Sequence, residues 1–571
     1  MARLIAALSA VSDLLWHDYA LLTLLGVGVL FTLWSGFAQY RGLTHGVAVI
    51  RGRYDRAGNP GAITHLQALS AALSATVGLG NIAGVAIAVT LGGPGAVFWM
   101  WVTGLFGMAV KMTEVIQSMI HRDTTDPLEP HGGPMFVCRN GFARLFPKLA
   151  PAGAALGAIF CVSLLVCTAT GGNMFQAWNV ADISFSYFGV PRLVSGAIMT
   201  ILVGLVILGG IRRIGAVAEA LVPFMCALYL VGGIWVIVSR LDQVPGMLRL
   251  VFQSAFAPAE AAGAFLGGSV GFAFLKGMQR ALFSNEAGQG SAPIAHAASR
   301  TDEPARQGVV ACLEPFVDTI VVCSITAAVI LLSGTWNRPP ALAFDAPPMV
   351  DQVTDFLPGS PGMSWTLRPT PVSVRGELEA RDQMFAGQEV FAVMEAHRDG
   401  RTGRTRHRLN GTLKADPDGG WHVQWRTLET PHMPRVAVEG VYFDFKGATL
   451  TAKAFDSIHP GLGFWIVPAA AWLFAISTLI SWCYYGEQGI VYLIGARAVT
   501  AYRIVYCLLI LAAASPLIRT QHELDVISSL GTGVMLWANL PIMLIFAPQA
   551  MSAYHDYIRR LKAGKLEPTR R

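Results

Sequence analysis

Eleven apolar runs, each close to 20 residues long, dominate this chain: 16–37, 70–91, 96–120, 152–178, 193–211, 215–238, 262–283, 308–333, 463–485, 500–517 and 526–548. A helix of about 20 apolar residues crosses the hydrocarbon core of a bilayer, where backbone groups must find their partners within the protein. The runs therefore predict an all-α polytopic membrane protein with about eleven transmembrane helices. Only 14% of the 571 residues are charged, 53% are apolar, and the mean hydropathy is +0.49. A soluble protein carries about 25% charged residues, so a soluble enzyme is excluded, as is a disordered or collagen-like chain. The net charge of +6 is scattered over loops and forms no stripe, so no nucleic-acid partner is expected. Run 16–37 has full span length and lacks a small-residue cleavage pattern, which makes it a helix rather than a signal peptide. The eight cysteines form no CxxC pair and most sit in apolar runs, so no bound metal and no disulfide are expected.

Lys and Arg set the orientation. One set of loops holds Arg41, Arg51, Arg53 and Arg56, then Arg122, Arg139, Arg144 and Lys148, then Arg212, Arg213, Arg300, Arg306 and Arg497, and the basic tail. The opposite short loops carry little more than Arg192, Arg240, Arg249 and Arg519. An external N-terminus and a cytoplasmic C-terminus satisfy this bias in a plasma (inner) membrane. The chain then divides into a core at 1–336, an insert at 337–446, a second core segment at 447–555, and a basic cytoplasmic tail at 556–571. The insert is polar, rich in Arg and Pro, and contains no span. Alternation at Val372, Val374 and Leu378, at Trp421, Val423 and Trp425, and at Val436, Val438, Val441, Phe443 and Phe445 predicts strands. Asp416-Pro-Asp-Gly-Gly420 reads as a turn between two of them. A small extracytoplasmic β domain is expected, and its arginines, among them Arg401, Arg404, Arg406 and Arg408, read as a solvated hairpin.

Two spans are not ordinary helices. Gly78 and Gly80 lie in Thr-Val-Gly-Leu-Gly-Asn-Ile-Ala-Gly at 76–84, and each interior glycine costs a helix about 1 kcal/mol. Their spacing favours a break at membrane depth, or else a pair of close-packing glycines between helices. A break there survives only around a cavity or ligand, with free N–H groups suited to a carboxylate and free carbonyls suited to a cation. A second interruption, Gly-Gly-Ser-Val-Gly at 267–271, falls five spans later. Breaks in equivalent positions of two halves point to a transporter with an inverted repeat, here five helices plus five with one extra N-terminal helix.

These residues resemble the alanine or glycine:cation symporter family, within the amino acid–polyamine–organocation superfamily. The resemblance is carried by Thr76–Trp101, Gly132–Met135, Gly172–Gln176, Ser284–His296, Glu314–Thr319 and Phe474–Glu487, across roughly 10–336 and 447–555. It implies uptake of small neutral amino acids with sodium, and no enzymatic activity. The Gly-Leu-Gly-Asn run also looks like the unwound first core helix of the sodium-coupled neurotransmitter transporter relatives. This chain departs from the family pattern in the insert between Trp336 and Gly447, and in Ser529, where the family commonly has Asp.

By the resemblance, sodium is held by the backbone carbonyls of Thr76 and Val77, the Asn81 side chain, and the hydroxyls of Ser477 and Thr478. For those two hydroxyls the bland alternative is bonding back to the preceding helical turn. The substrate carboxylate is expected at the N–H groups of Gly78, Leu79 and Gly80, beside Asn81. Gln176 offers both donors and an acceptor to the ammonium or carboxylate, and the break from Ser269 to Gly271 offers carbonyls to the ammonium. Trp482, one turn beyond Thr478, either walls the side-chain pocket or anchors at the interface. Lys111 and Glu114, three apart on one helix face, serve structure or gating. Asp318 is a candidate proton or sodium site, and Glu286 is expected at the cytoplasmic end of the seventh span. Two other classes compete: a sensor that binds amino acid without flux, and a polytopic membrane enzyme. The second lacks HExxH or GxSxG.

Overall fold

The computed structural model describes residues 8, 11–12, 14–54, 58–353, 363–375, 384–400, 402–515 and 521–566. Among the described residues, seven helices are long and apolar enough to cross a membrane, or nine spans if each of two bent pairs counts as one. The bent pairs are Tyr19–Trp34 with Ala38–Ile50, at 67°, and His65–Thr76 with Gly80–Gly92, at 51°. The remaining expected runs, 193–211 and 262–283, correspond to the 16-residue helices Arg192–Ile207 and Val270–Asn285. The apolar window of Gly95–His121 is 67% buried within the protein, whereas that of Ala496–Ala514 is 17% buried. The first helix is therefore central, and the second turns most of its apolar surface outward, as a lipid-facing helix does. Alanines along His65–Thr76 and Val85–Gly92 line the main core, and such small residues let helix backbones approach closely.

The seventh expected span needs correction. Residues 257–269 are not helical; backbone pairs Ala259–Gly268 and Ala262–Phe265 fold them into a hairpin-like turn. The helix begins at Val270, with the Ser269 hydroxyl accepting from Phe272 N at 3.2 Å as its N-cap. The apolar residues that mimicked a span here, Ala264 and Leu266, are buried against Phe391, Val393 and Tyr442 of the insert. Their hydrophobicity is spent on protein and not on lipid.

All ten strands of the molecule's described residues fall between Leu342 and Phe443. The larger sheet is antiparallel and includes Thr370–Val374, Trp421–Trp425, Arg406–Ala415 and Glu389–Glu395 as successive neighbours. A three-stranded sheet joins Val350–Val353, Met363–Leu367 and Leu428–Thr430. The Asp416–Gly420 turn forms as its composition demands, with Asp416 N donating to Gly420 O at 2.8 Å. Leu378 and Arg401 lie outside the described residues. The strand Glu389–Glu395 carries no alternation because both its faces are buried: Val390, Ala392 and Met394 in the sheet's own core, Phe391 and Val393 against residues 257–269. The arginines also need correction. Arg404 is only 9% exposed, and the Arg408 guanidinium pairs with Asp444 at 3.3 Å. Both side chains stand where the larger sheet meets residues 257–269, with Arg404 donating to Gly267 O and Arg408 to Ala264 O.

Beyond the insert, the helix Gly447–Ile458 turns into the 32-residue helix Leu462–Leu493. Asp456 Oδ1 accepts from the N–H groups of Gly461, Gly463 and Phe464 at 3.0, 2.9 and 3.2 Å, which satisfies the first turn of that long helix. Asp456→Ala is expected to destabilise the protein by about 2 kcal/mol, in line with loss of hydrogen bonds to a charged acceptor. Thermal unfolding of the purified protein in detergent checks this through a lowered Tm.

Candidate functional site

The first break starts where His65–Thr76 ends. Val77 leaves the helix at φ −76° and ψ 87°, and a wide turn resumes at Gly80. Two of the freed N–H groups are met by side-chain oxygens: Gly78 N donates to Asn81 Oδ1 at 2.9 Å, and Leu79 N donates to Gln176 Oε1 at 3.3 Å. The Asn81 amide group faces the other way, donating to Ser284 Oγ at 2.9 Å and to the Asp318 carboxylate. Asp318 also accepts from Ser284 Oγ at 2.7 Å and Thr319 Oγ1 at 2.9 Å. Asn81, Ser284, Asp318 and Thr319 thus form one buried, oxygen-rich cluster beside the break, the donor set that suits a hard cation.

The second break lies elsewhere than expected. It follows the helix Val270–Asn285 and runs through Glu286–Ser291 before a short helix resumes at Ala292. Gly288 and Gly290 have φ +84° and +80°, and Glu286 sits at φ +55°, one of two non-glycine residues in that region among those described. Such backbone is rare for a residue with a side chain and concentrates at functional positions. Glu286 therefore stands at the end of the helix Val270–Asn285 and at the same time opens the break. Ser269 and Gly271 are remote from it: the Ser269 N–H donates to Thr402 O of the insert at 2.9 Å. Their proposed contact with an ammonium is thereby corrected, because glycines in 267–271 shape a turn before the helix and leave its interior unbroken.

A cavity joins the two breaks. Its walls include Thr76, Gly78 and Gly80 of the first, Glu286 and Gln289 of the second, and Gln176 and Trp482 from two further helices. Trp482 is 4% exposed and packs against Gly172, so it is a wall and not an interfacial anchor. Gln289, Phe283, Cys167 and Thr532 also line the cavity, and the sequence reading missed them. Gln289 Oε1 is buried and has no hydrogen-bond partner. The adjacent hydroxyls of the long helix divide in role. Ser477 Oγ donates to Phe474 O at 2.9 Å, a bond back to its own turn, and Ser74 Oγ donates to Ser477 O at 2.7 Å. Thr478 Oγ1 is buried without a partner, and a Cβ added at Gly78 would lie 2.7 Å from it.

Charged groups bracket the second break. Lys111 Nζ lies 3.3 Å from Glu314 Oε2 and 4.0 Å from Glu114 Oε1, so its closer partner comes from another helix and not from its own. Glu114 Oε2 in turn accepts from Gly290 N at 3.2 Å and from Asn539 Nδ2 at 3.1 Å. His296 bonds both Glu314 and Gln307. Ser291 donates to Glu286. A buried pair of this kind is costly to break, about 3–5 kcal/mol when one partner is removed.

The family model of the sodium:alanine symporter family matches residues 1–353 and 435–571. The chain belongs to that family. The match passes over 354–434, which lies within the β insert. The sodium/alanine symporter AgcS of Methanococcus maripaludis is 33% identical over 506 residues, covering 88% of this chain and 87% of AgcS. YrbD of Bacillus subtilis, whose name describes a sodium/proton-dependent alanine carrier, is 30% identical over 571 residues, covering 100% of this chain and 94% of YrbD. Among solved structures, MhsT in complex with L-phenylalanine superposes with a TM-score of 0.50 at 13% identity, covering 87% of this chain and 93% of MhsT. That likeness shows the fold. The family member described here is thus an integral membrane protein, a cation-coupled amino-acid symporter and not an enzyme.

Gly78→Ala forces a methyl group into the Thr478 hydroxyl and toward Gln176 Oε1, 3.5 Å away. It is expected to weaken substrate binding at least about tenfold, or 1.4 kcal/mol, with the protein still reaching the membrane. Equilibrium binding of labelled substrate to the purified variant checks this.

Proposed function

We propose that this chain imports alanine, glycine or a similarly small neutral amino acid by alternating access, driven by the inward sodium gradient. The observation that carries the reading is the cavity walled by both helix breaks, Gln176 and Trp482. The substrate carboxylate meets the N–H groups around Gly78, Leu79 and Gly80, displacing the side-chain oxygens of Asn81 and Gln176 that now cover two of them. The ammonium is met by Glu286 and the partnerless Gln289 Oε1 on the facing break. Phe283 and Trp482 limit the side chain, and Thr478 supplies a hydroxyl. Sodium occupies the cluster of Asn81, Ser284 and Asp318, and a further ion is held between the carbonyls of Thr76 and Val77 and the hydroxyls of Ser477 and Thr478.

Closure of the cavity around both solutes favours the state from which they leave on the other side. Lys111, Glu114 and Glu314 hold the second break through Gly290 and act in gating. The reading includes eleven crossings with two halves of five, an external N-terminus, a cytoplasmic C-terminus with the tail 556–571, core segments 1–336 and 447–555, and the insert 337–446 on the external face. YrbD's name supports a second coupling, by protons at Asp318, whose buried carboxylate is held by three hydroxyl and amide donors.

Labelled L-alanine uptake into proteoliposomes, with an inward sodium gradient against matched choline, tests the reading. Sodium-dependent accumulation is expected, and Asn81→Ala is expected to reduce it at least about a hundredfold, the loss of about 2.7 kcal/mol of site organisation. Saturable alanine binding without uptake would support a sensor and overturn transport. Asp318→Asn separates the couplings: sodium coupling predicts a tenfold or greater rise in the sodium concentration giving half-maximal uptake. Proton coupling predicts that uptake driven by a pH gradient in choline is present in the parent protein and lost in the variant.

A further inference from the structure

The β insert reaches the broken helices through one arginine. The strands Glu389–Glu395 and Arg406–Ala415 are joined by a tip whose shape is set by its own hydrogen bonds. Asp399 N donates to Arg404 O at 2.8 Å, and the Asp399 carboxylate accepts from Thr402 N at 2.7 Å. Gly403 turns there at φ +69°, and a Cβ on it would stand 3.2 Å from Ser269 Cβ. Thr402 O accepts from Ser269 N, so the tip backbone is bonded to the cap of the helix Val270–Asn285.

The Arg404 guanidinium does more than fill space. Its Nη2 donates to Leu91 O, a carbonyl in the last turn of the helix Val85–Gly92, which follows the first break. Its Nε donates to Gly267 O at 2.6 Å, three residues before the start of the helix that leads into the second break. The face of Phe272, in the first turn of that helix, lies 4.8 Å from the guanidinium carbon. A cation suits the first contact, because the last carbonyls of a helix lack intrahelical partners and carry the negative end of its dipole. The planar fork lets one side chain donate in two directions at once, which a lysine ammonium on a single stem does less well. The two helices also touch below it: a Cβ on Gly92 would lie 3.0 Å from Lys276 Cβ.

We propose that Arg404 is a positioning residue for transport, which ties the insert-side ends of the two broken helices into one body so that both breaks change together. The cavity lies between those breaks, and a shared movement of their helices alters both of its walls in one step. The tie comes from the part of the chain that the family model passes over, so this device is added to the common fold and is not inherent in it. The inference rests on the transport reading above for its consequence, but not for its geometry.

The test compares the parent protein with Arg404→Ala and Arg404→Lys, and with Arg426→Ala, whose guanidinium pairs with Glu389 on an exposed part of the same insert. Initial rates of sodium-driven alanine uptake are measured over a range of alanine concentrations, normalised to protein in the membrane. The expected result is a fivefold or greater fall in maximal rate for Arg404→Ala with KM changed by less than twofold, an intermediate rate for Arg404→Lys, and no change for Arg426→Ala. An unchanged rate, or a raised KM at an unchanged rate, would overturn the proposal. If Arg404→Ala does not reach the membrane, Arg404→Lys decides by the same split. Hydrogen exchange on the purified proteins separates this inference from the transport reading, since it needs no substrate. Faster exchange at both 88–92 and 269–273 in Arg404→Ala supports the tie, and a change at neither or at only one of them overturns it even if the parent protein transports another solute.

Discussion

A backbone N–H or carbonyl that leaves its helix inside a membrane has no water to turn to, and this requirement organises the centre of the molecule. At the first break Gly78 N and Leu79 N are covered by Asn81 and Gln176. At the second, Gly290 N is covered by Glu114, and Ala287 N by Asn285 Oδ1 at 3.0 Å. Each of these side chains is buried and would be expensive without the break it serves. Break and side chain stabilise each other, which is why these buried polar side chains stand beside the breaks.

The charged groups follow from the same constraint. Glu114 takes Gly290 N and is accompanied by Lys111, which sits closer still to Glu314, and Glu314 is bonded by His296 of the short helix after the break. A carboxylate recruited to one backbone group thus brings a counter-charge, and that lysine brings a second carboxylate. The insert applies the same chemistry at the helix ends, where Arg404 meets two carbonyls that would otherwise face the junction between sheet and helices.

Much of this was legible in the sequence, and the failures have physical causes. Gly78 and Gly80 announced a break because two glycines at a spacing of two fall inside an apolar run, where a helix is otherwise expected. Gly288 and Gly290 have the same spacing and form the second break, but they follow the apolar run 262–283 and are flanked by Asn285, Glu286 and Gln289. Hydropathy places a helix end there, and the glycines of 267–271, inside the apolar run, mimic the break instead. Ala264 and Leu266 then lengthened the apparent span, since hydropathy does not distinguish burial against a sheet from burial in lipid. Alternation found Trp421–Trp425 but not Glu389–Glu395, which is apolar on both faces. Thr532 in the cavity wall had no signal at all, being one hydroxyl in a long apolar helix.

The self-satisfied state of the first break has a consequence for how strongly anything can bind there. Asn81 and Gln176 already occupy the N–H groups that an incoming carboxylate would use. An occupant therefore gains only the difference between its own bonds and those it displaces, while the displaced amides must find new partners. Binding at those N–H groups becomes an exchange of acceptors, in which a charged carboxylate replaces neutral amide oxygens, instead of the filling of a vacant, high-energy socket. On the proposed reading the break re-forms its own bonds as the cargo departs, so the emptied protein is not left with bare N–H groups at Gly78 and Leu79.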